Sequence, residues 1–320
     1  MLVASLLGGL LLLWLGGETF VRGSVTIAVR LRVSQLMIGL TLVGFGTSLP
    51  ELVTSVTAAM DGAPGLAVGN VVGSNIANVL LVLAIAAMIR PVTSRPEAFF
   101  RDAAALAIAT VAGAGLILFG QIGRLEGAIL LAALAAYIHL VYVKERRHRT
   151  PAGDVLVGEA EVAERPPETL LRAIILIVGG LAAVVGGAWL LVTGAIELAR
   201  MWGVSETFIG LSVVAVGTSL PEFVITAVAS IRGRSDVALG NIMGSNIFNI
   251  LGILGVTALV TPIVVPPDLH LFDILAMFGA TILLIVSAAT GMRIKRWEGG
   301  MLLAAYVAYM AVRAGVPLQI

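Results

Sequence analysis

The feature that most limits what this chain can fold into is an internal duplication. Residues 46–51 read GTSLPE, and so do residues 217–222. Residues 69–78 read GNVVGSNIAN, and residues 240–249 read GNIMGSNIFN. Both pairs sit at an offset of 171, as do Pro91 and Pro262, and Asp102 and Asp273. Thirteen identities in the sixteen motif positions do not arise by chance. The chain is therefore two related halves in tandem. A polar stretch at 144–169, opening on Lys144, Glu145, Arg146 and Arg147, lies between them. It is too short and too poor in apolar residues to be a domain. The expected organisation is a first repeat over 1–143, a linker over 144–169 and a second repeat over 170–320.

The rest of the chain is unusually apolar. Of its 320 residues, 59% are hydrophobic and 12% charged, with a mean hydropathy of +1.05. A soluble domain carries about 25% charged residues, so most of this surface is expected to face lipid. Apolar runs long enough to span a bilayer recur at roughly 2–29, 35–60, 66–89, 99–119, 124–143, 170–199, 205–230, 236–260, 269–290 and 298–314. No positive segment precedes the first run, so it is expected to be an uncleaved span rather than a signal peptide. Equivalent positions are separated by five spans, an odd number, so the second half must enter the membrane from the opposite side. The expected fold is an all-α membrane protein with ten transmembrane helices as two inverted five-helix repeats, an arrangement that places a transport site between repeats near the midplane. With these boundaries one face collects sixteen Lys and Arg residues and the other only Arg124, Arg200 and Arg313. The rich face is expected to be cytoplasmic. That puts the linker inside the cell and both termini outside, in a multi-pass cell-membrane protein.

Several chemistries are excluded. With no cysteine there is no disulfide, zinc–thiolate site or thiol nucleophile. His139, His148 and His270 are scattered and form no metal pattern. Neither a nucleophile–base pair nor an HExxH motif is present, so no enzyme activity and no cofactor are expected. At a net charge of +1 and without a basic tract, the chain has no feature suited to nucleic acid. Nothing points to an obligate protein partner; the expected partners are cations and the lipid bilayer.

Glu51 and Glu222 fall inside the second and seventh spans. A charge at the bilayer centre costs about 2.5–3.5 kcal/mol even on lenient scales, and no Lys or Arg lies near either in sequence. Each is then a protonated, hydrogen-bonded acid or a carboxylate awaiting a mobile cation; its occurrence twice in one context favours the cation. Pro50 and Pro221 lack an N–H, which frees the carbonyls of Gly46 and Gly217. They also disfavour helical geometry at Leu49 and Leu220, where the spans are expected to break. Freed carbonyls at membrane depth are tolerated where they line a cavity or bind an ion. Thr47 and Ser48 lie four and three residues before Glu51, on or near one helix face. Ser74 with Asn78, and Ser245 with Asn249, have the same spacing of four. The donors are all oxygen, which selects sodium, calcium or magnesium over zinc or copper. Calcium accepts six to eight such ligands, whereas magnesium keeps its waters. Asn70, Asn75, Asn241 and Asn246 are expected to be hydrogen-bond glue between spans.

The doubled GTSLPE and GNxxGSNIxN motifs resemble the two alpha repeats of the calcium/cation antiporter superfamily, especially its sodium/calcium exchanger branch. The resemblance covers nearly the whole chain. It implies ten helices, alternating access, and a calcium site flanked by sodium sites. Glu51 and Glu222 match the family's essential acids. Thr47, Ser48, Ser74, Thr218, Ser219 and Ser245 match its hydroxyl ligands, Gly44 and Ala215 its carbonyl donors, and Asn78 and Asn249 a further ligand pair. Relatives often carry aspartate at the position of Asn249; asparagine here argues against potassium co-transport. The linker has no room for a large regulatory domain. The expected function is sodium/calcium exchange; a proton-driven calcium exchanger is the first alternative and a cation channel the second. Outside the site, Glu18 with Arg22 and Glu197 with Arg200 are expected to be structural ion pairs. Asp102 and Asp273 are expected in the first turn of helices, where the dipole favours an acid.

Overall fold

The computed structural model describes residues 2–31, 35–94, 96–147, 169–201, 217, 219–265 and 271–315. The fold is helical. The first half comprises α1 (Leu2–Leu31), α2 (35–47), α3 (Leu49–Met60), α4 (Pro64–Ile89), α5 (Pro96–Leu118) and α6 (Arg124–Arg147). The second comprises α7 (Leu170–Met201), α8 (Leu220–Ile231), α9 (Ser235–Val260), α10 (Leu271–Ala289) and α11 (Arg296–Gly315). Helix α6 runs four residues past the expected start of the linker, through Arg147. Residues 148–168 of the linker lie outside the described residues.

Among the described residues, seven helices are long and apolar enough to cross a membrane: α1, α4, α5, α6, α7, α9 and α10. The other three expected spans fall short for identifiable reasons. The second is interrupted at Ser48, between α2 and α3. Only Leu220–Ile231 of the seventh forms a described helix. The last is a continuous 20-residue helix, α11, but its first turn carries Arg296 and Glu298 and its last turn Arg313.

The longest helices, α1 and α7, pack through glycines. A Cβ on Gly9 would lie 2.9 Å from the Gly187 carbonyl oxygen, one on Gly16 2.8 Å from the Val184 nitrogen, and one on Gly23 3.0 Å from the Ala173 carbonyl. Small residues permit such backbone approach between membrane helices. The partner number falls as the α1 number rises, so the two helices run antiparallel.

Two short ladders join the halves at the helix ends, a feature with no expectation from sequence. Strand β1 (Val92–Thr93) pairs antiparallel with β4 (Arg293–Ile294), and β2 (Gln121–Ile122) with β3 (Ile263–Val264). Turns also recur in register: Gly62 (φ +79°) and Gly233 (φ +72°), 171 residues apart, both take the left-handed conformation that glycine adopts freely.

The main core draws on both halves. Leu83, Leu106 and Ile122 pack with Ile242, Ile253 and Leu284. Between the halves the hydroxyls of Thr110 and Thr281, again 171 apart, meet at 3.3 Å. Large apolar side chains such as Ile108, Leu125 and Leu171 stand fully on the outer surface, as expected of a lipid-facing belt.

Candidate functional site

The site is built where α2, α3 and α4 meet α8 and α9. The first GTSLPE motif breaks its span at Ser48, and Ser219 of the second precedes α8 with the same backbone. Ser48 has φ −86°, ψ 7° and Ser219 has φ −88°, ψ 6°. The break falls one residue before the expected leucines. Leu49 and Leu220 are already helical, because proline is accepted in the first turn of a helix, where its missing N–H has no intrahelical partner anyway. Glu51 and Glu222 therefore occupy the first turn of α3 and α8, the helix end whose dipole favours an anion.

Both glutamates are 1% exposed. The Ser48 hydroxyl donates to Glu222 Oε1 at 2.8 Å, so the first half holds the acid of the second. Thr47 and Ser245 cluster on the Gly44 carbonyl. The Thr47 hydroxyl lies 3.2 Å from that oxygen, 3.2 Å from Asn241 Oδ1 and 3.3 Å from Ser245 Oγ. Ser245 donates to the same carbonyl at 3.0 Å. This proximity needs Gly244, since a Cβ there would fall 2.1 Å from the Leu40 carbonyl oxygen. Gly44, Thr47, Ser48, Glu222 and Ser245 are thus brought together. Ser74 and Ser219 are buried. Ala215 and Thr218 lie outside the described residues.

Among the described residues, seven buried side-chain atoms lack a hydrogen-bond partner. Five are Glu51 Oε1, Glu51 Oε2, Glu222 Oε2, Asn78 Oδ1 and Asn249 Oδ1. All five are acceptors. Buried acceptors without a donor are rare and costly, and these five come from only four residues, on α3, α4, α8 and α9. The two carboxylates also repel one another. A cation is the species that satisfies such a set at once.

The neighbouring amides brace the frame. Asn70 Nδ2 donates to the Glu51 carbonyl and to Ser55 Oγ at 3.2 and 2.9 Å. Asn241 Nδ2 donates to the Glu222 carbonyl and to Thr226 Oγ1 at 3.3 and 2.8 Å. Asn75 and Asn246 carry hydrogen bonds between halves.

One feature of the site has no sequence signal. Among the described residues, three stretches, Gly39–Val43, Asn78–Leu83 and Phe248–Ile253, wind as π-helix, and two of them contain Asn78 and Asn249. Such windings are frequent at functional sites.

Away from the centre, Glu18 is bound by Arg232, which follows α8. Asp102 lies in the second turn of α5, not the first, where Arg101 and the Tyr137 hydroxyl bind it. Asp273 is in the first turn of α10, bound by Tyr309 and Arg313. The Arg200 side chain lies outside the described residues.

The model of the sodium/calcium exchanger protein family matches residues 1–143 and 172–315. The chain is 39% identical to the CaxA protein of Alkalimonas amylolytica over 315 residues, covering 97% of this chain and 98% of that one. It is 34% identical to the sodium/calcium exchanger MaX1 of Methanosarcina acetivorans, covering 96% and 97% of the two chains. Its fold superposes on the solved sodium-calcium exchanger NCX_Mj with a TM-score of 0.83 at 31% identity, over 97% of this chain and 98% of that one. The chain belongs to the sodium/calcium exchanger family of membrane antiporters, and is a transporter rather than an enzyme.

Proposed function

We propose that this protein exchanges sodium for calcium by alternating access, at a cage of oxygens centred on Glu51 and Glu222. The observation that carries this reading is the set of five buried, donorless oxygens on four residues. Two carboxylates balance the charge of one calcium ion. The hydroxyls of Thr47, Ser48, Ser74 and Ser245, the amide oxygens of Asn78 and Asn249 and the Gly44 carbonyl supply the remaining coordination, with Thr218, Ser219 and Ala215 as their counterparts. Emptied, the same pair is buried and unpaired, at several kcal/mol per charge. The empty carrier therefore resists reorientation and the loaded one does not, which makes exchange obligatory. Sodium ions refill the site on the return leg.

The transport frame is ten spans in two inverted repeats. The equivalent helices α1 and α7 run antiparallel. The two ladders are also reciprocal: β1 pairs with β4 and its counterpart β3 with β2. A ten-span path puts β1 and β4 on one side and β2 and β3 on the other, as pairing requires. The Arg- and Lys-rich side is cytoplasmic, so the linker lies inside and the termini outside.

The test is calcium uptake into proteoliposomes. Uptake should require an opposing sodium gradient and should be abolished by Glu51→Gln and by Glu222→Gln. Uptake driven equally by a proton gradient without sodium would overturn the sodium coupling. Undiminished uptake in both variants would overturn the cage.

A further inference from the structure

The asparagine amides of the cage present a problem of polarity. An amide's oxygen and nitrogen ends have nearly the same shape, yet only the oxygen can bind a cation. Asn78 and Asn249 must therefore be held one way round, and neither is held by its own half. Asn246 Nδ2 donates to the backbone carbonyl of Asn75 at 3.2 Å. A carbonyl can only accept, so Asn246 cannot turn over. Its Oδ1 then faces Asn78 and takes the Asn78 Nδ2 hydrogen at 3.0 Å. That leaves Asn78 Oδ1 buried and without a donor, toward the site.

The second chain of contacts uses a different anchor. Asn75 Nδ2 lies 3.8 Å from the thioether sulfur of Met277 on α10. A thioether can also only accept, so Asn75 Oδ1 is left for Asn249, whose Nδ2 lies 3.5 Å away. Asn249 Oδ1 is again buried and donorless. All four amides are at most 2% exposed, so water does not compete for them.

We propose that Asn246 and Asn75, anchored by the Asn75 carbonyl and by Met277 sulfur, are positioning residues that set the polarity of the ligands Asn78 and Asn249. Each ligand amide is oriented from the opposite half. Partners behind a ligand commonly govern metal affinity by about 10–100-fold. The proposal rests on the cage described above, and its test separates the two.

Calcium affinity is measured by titration calorimetry on the purified transporter, for Asn78→Ala, Asn246→Leu and the double variant. Asn246→Leu should weaken calcium binding about 10-fold, and should cost nothing further in the Asn78→Ala background. Independent, multiplying losses would overturn the relay. An unchanged affinity in Asn78→Ala alone would instead overturn Asn78 as a ligand. Met277→Leu is close in volume and is expected to fold. It should weaken calcium binding about 3-fold, in keeping with the modest strength of sulfur contacts, with an unaltered melting midpoint, and the loss should vanish in Asn249→Ala. It also carries the test if Asn246→Leu does not fold. A Met277→Leu protein with unaltered affinity, or with a loss that persists in Asn249→Ala, would overturn the second arm.

Discussion

Glu51 and Glu222 come from the same six-residue motif, begin helices at the same backbone break and are equally buried. Their surroundings differ. Glu222 receives the Ser48 hydroxyl on one oxygen and keeps the other free. Glu51 has two free oxygens, and no described residue donates to it. A duplicated sequence therefore reproduces a backbone without reproducing a microenvironment, because the side chains that complete each copy come from the other half. Ser48 on the first half serves Glu222; the counterpart of Ser48, Ser219, is buried but makes no such bond. One carboxylate is held by a hydroxyl of the other half and its counterpart is not.

The largest effect tests this directly. Ser48→Ala removes a hydrogen bond to a charged group, a class worth about 1.5–3 kcal/mol, and also removes an oxygen of the proposed cage. Calcium KM in sodium-driven uptake should rise at least 10-fold, a factor that corresponds to about 1.4 kcal/mol. Ser219→Ala removes only the oxygen and should raise KM less. Equal shifts would show that the two acids are equivalent in the working transporter.

The same contrast explains what could be read before folding. The spans, the helix breaks and the acids follow from local chemistry: apolar length, a proline without an N–H, and a charge with no local partner. The break moved from Leu49 to Ser48 because the first turn accepts proline, a matter of one residue. Pairings made across the fold were not legible. Glu18 is bound by Arg232, 214 positions away, a contact that no sequence spacing indicates. Asn75 and Asn246 suggest interhelical glue by composition, yet their use depends on a carbonyl and a sulfur that only the fold brings near. The π-helical turns have no composition signal, since any apolar run can host one. Duplication itself was the strongest clue: Asn70 with Ser55, and Asn241 with Thr226, repeat one bond at the 171 offset.

A smaller effect compares the outer ties of the two halves. Tyr137 donates to Asp102 at 3.1 Å where the aspartate is fully buried and bound by Arg101. Tyr309 donates to Asp273 at 2.9 Å nearer the surface, beside Arg313. Leaving a buried charge short of a donor costs more than leaving one that water can reach. Tyr137→Phe should lower stability in detergent by about 1.5–3 kcal/mol, and Tyr309→Phe by about 1 kcal/mol. Thermal unfolding of the two variants measures the difference, and a larger loss in Tyr309→Phe would reverse the ranking.

The smallest effect belongs to the pair that has no counterpart in the other half. Glu18 corresponds to Trp189 and Arg232 to Asp61 at the 171 offset, so the tie between α1 and the end of α8 exists once. Its side chains are 41% and 52% exposed, and exposed ion pairs contribute about 0–1 kcal/mol. Arg232→Ala should therefore leave the melting midpoint within experimental scatter. Any effect it has should appear in exchange rate rather than stability, because α1 packs chiefly on α7 and the pair bridges that unit to the end of α8, the helix carrying Glu222. A change in maximal uptake with unaltered calcium KM would assign the pair to that movement. A raised KM would place its influence on the site itself.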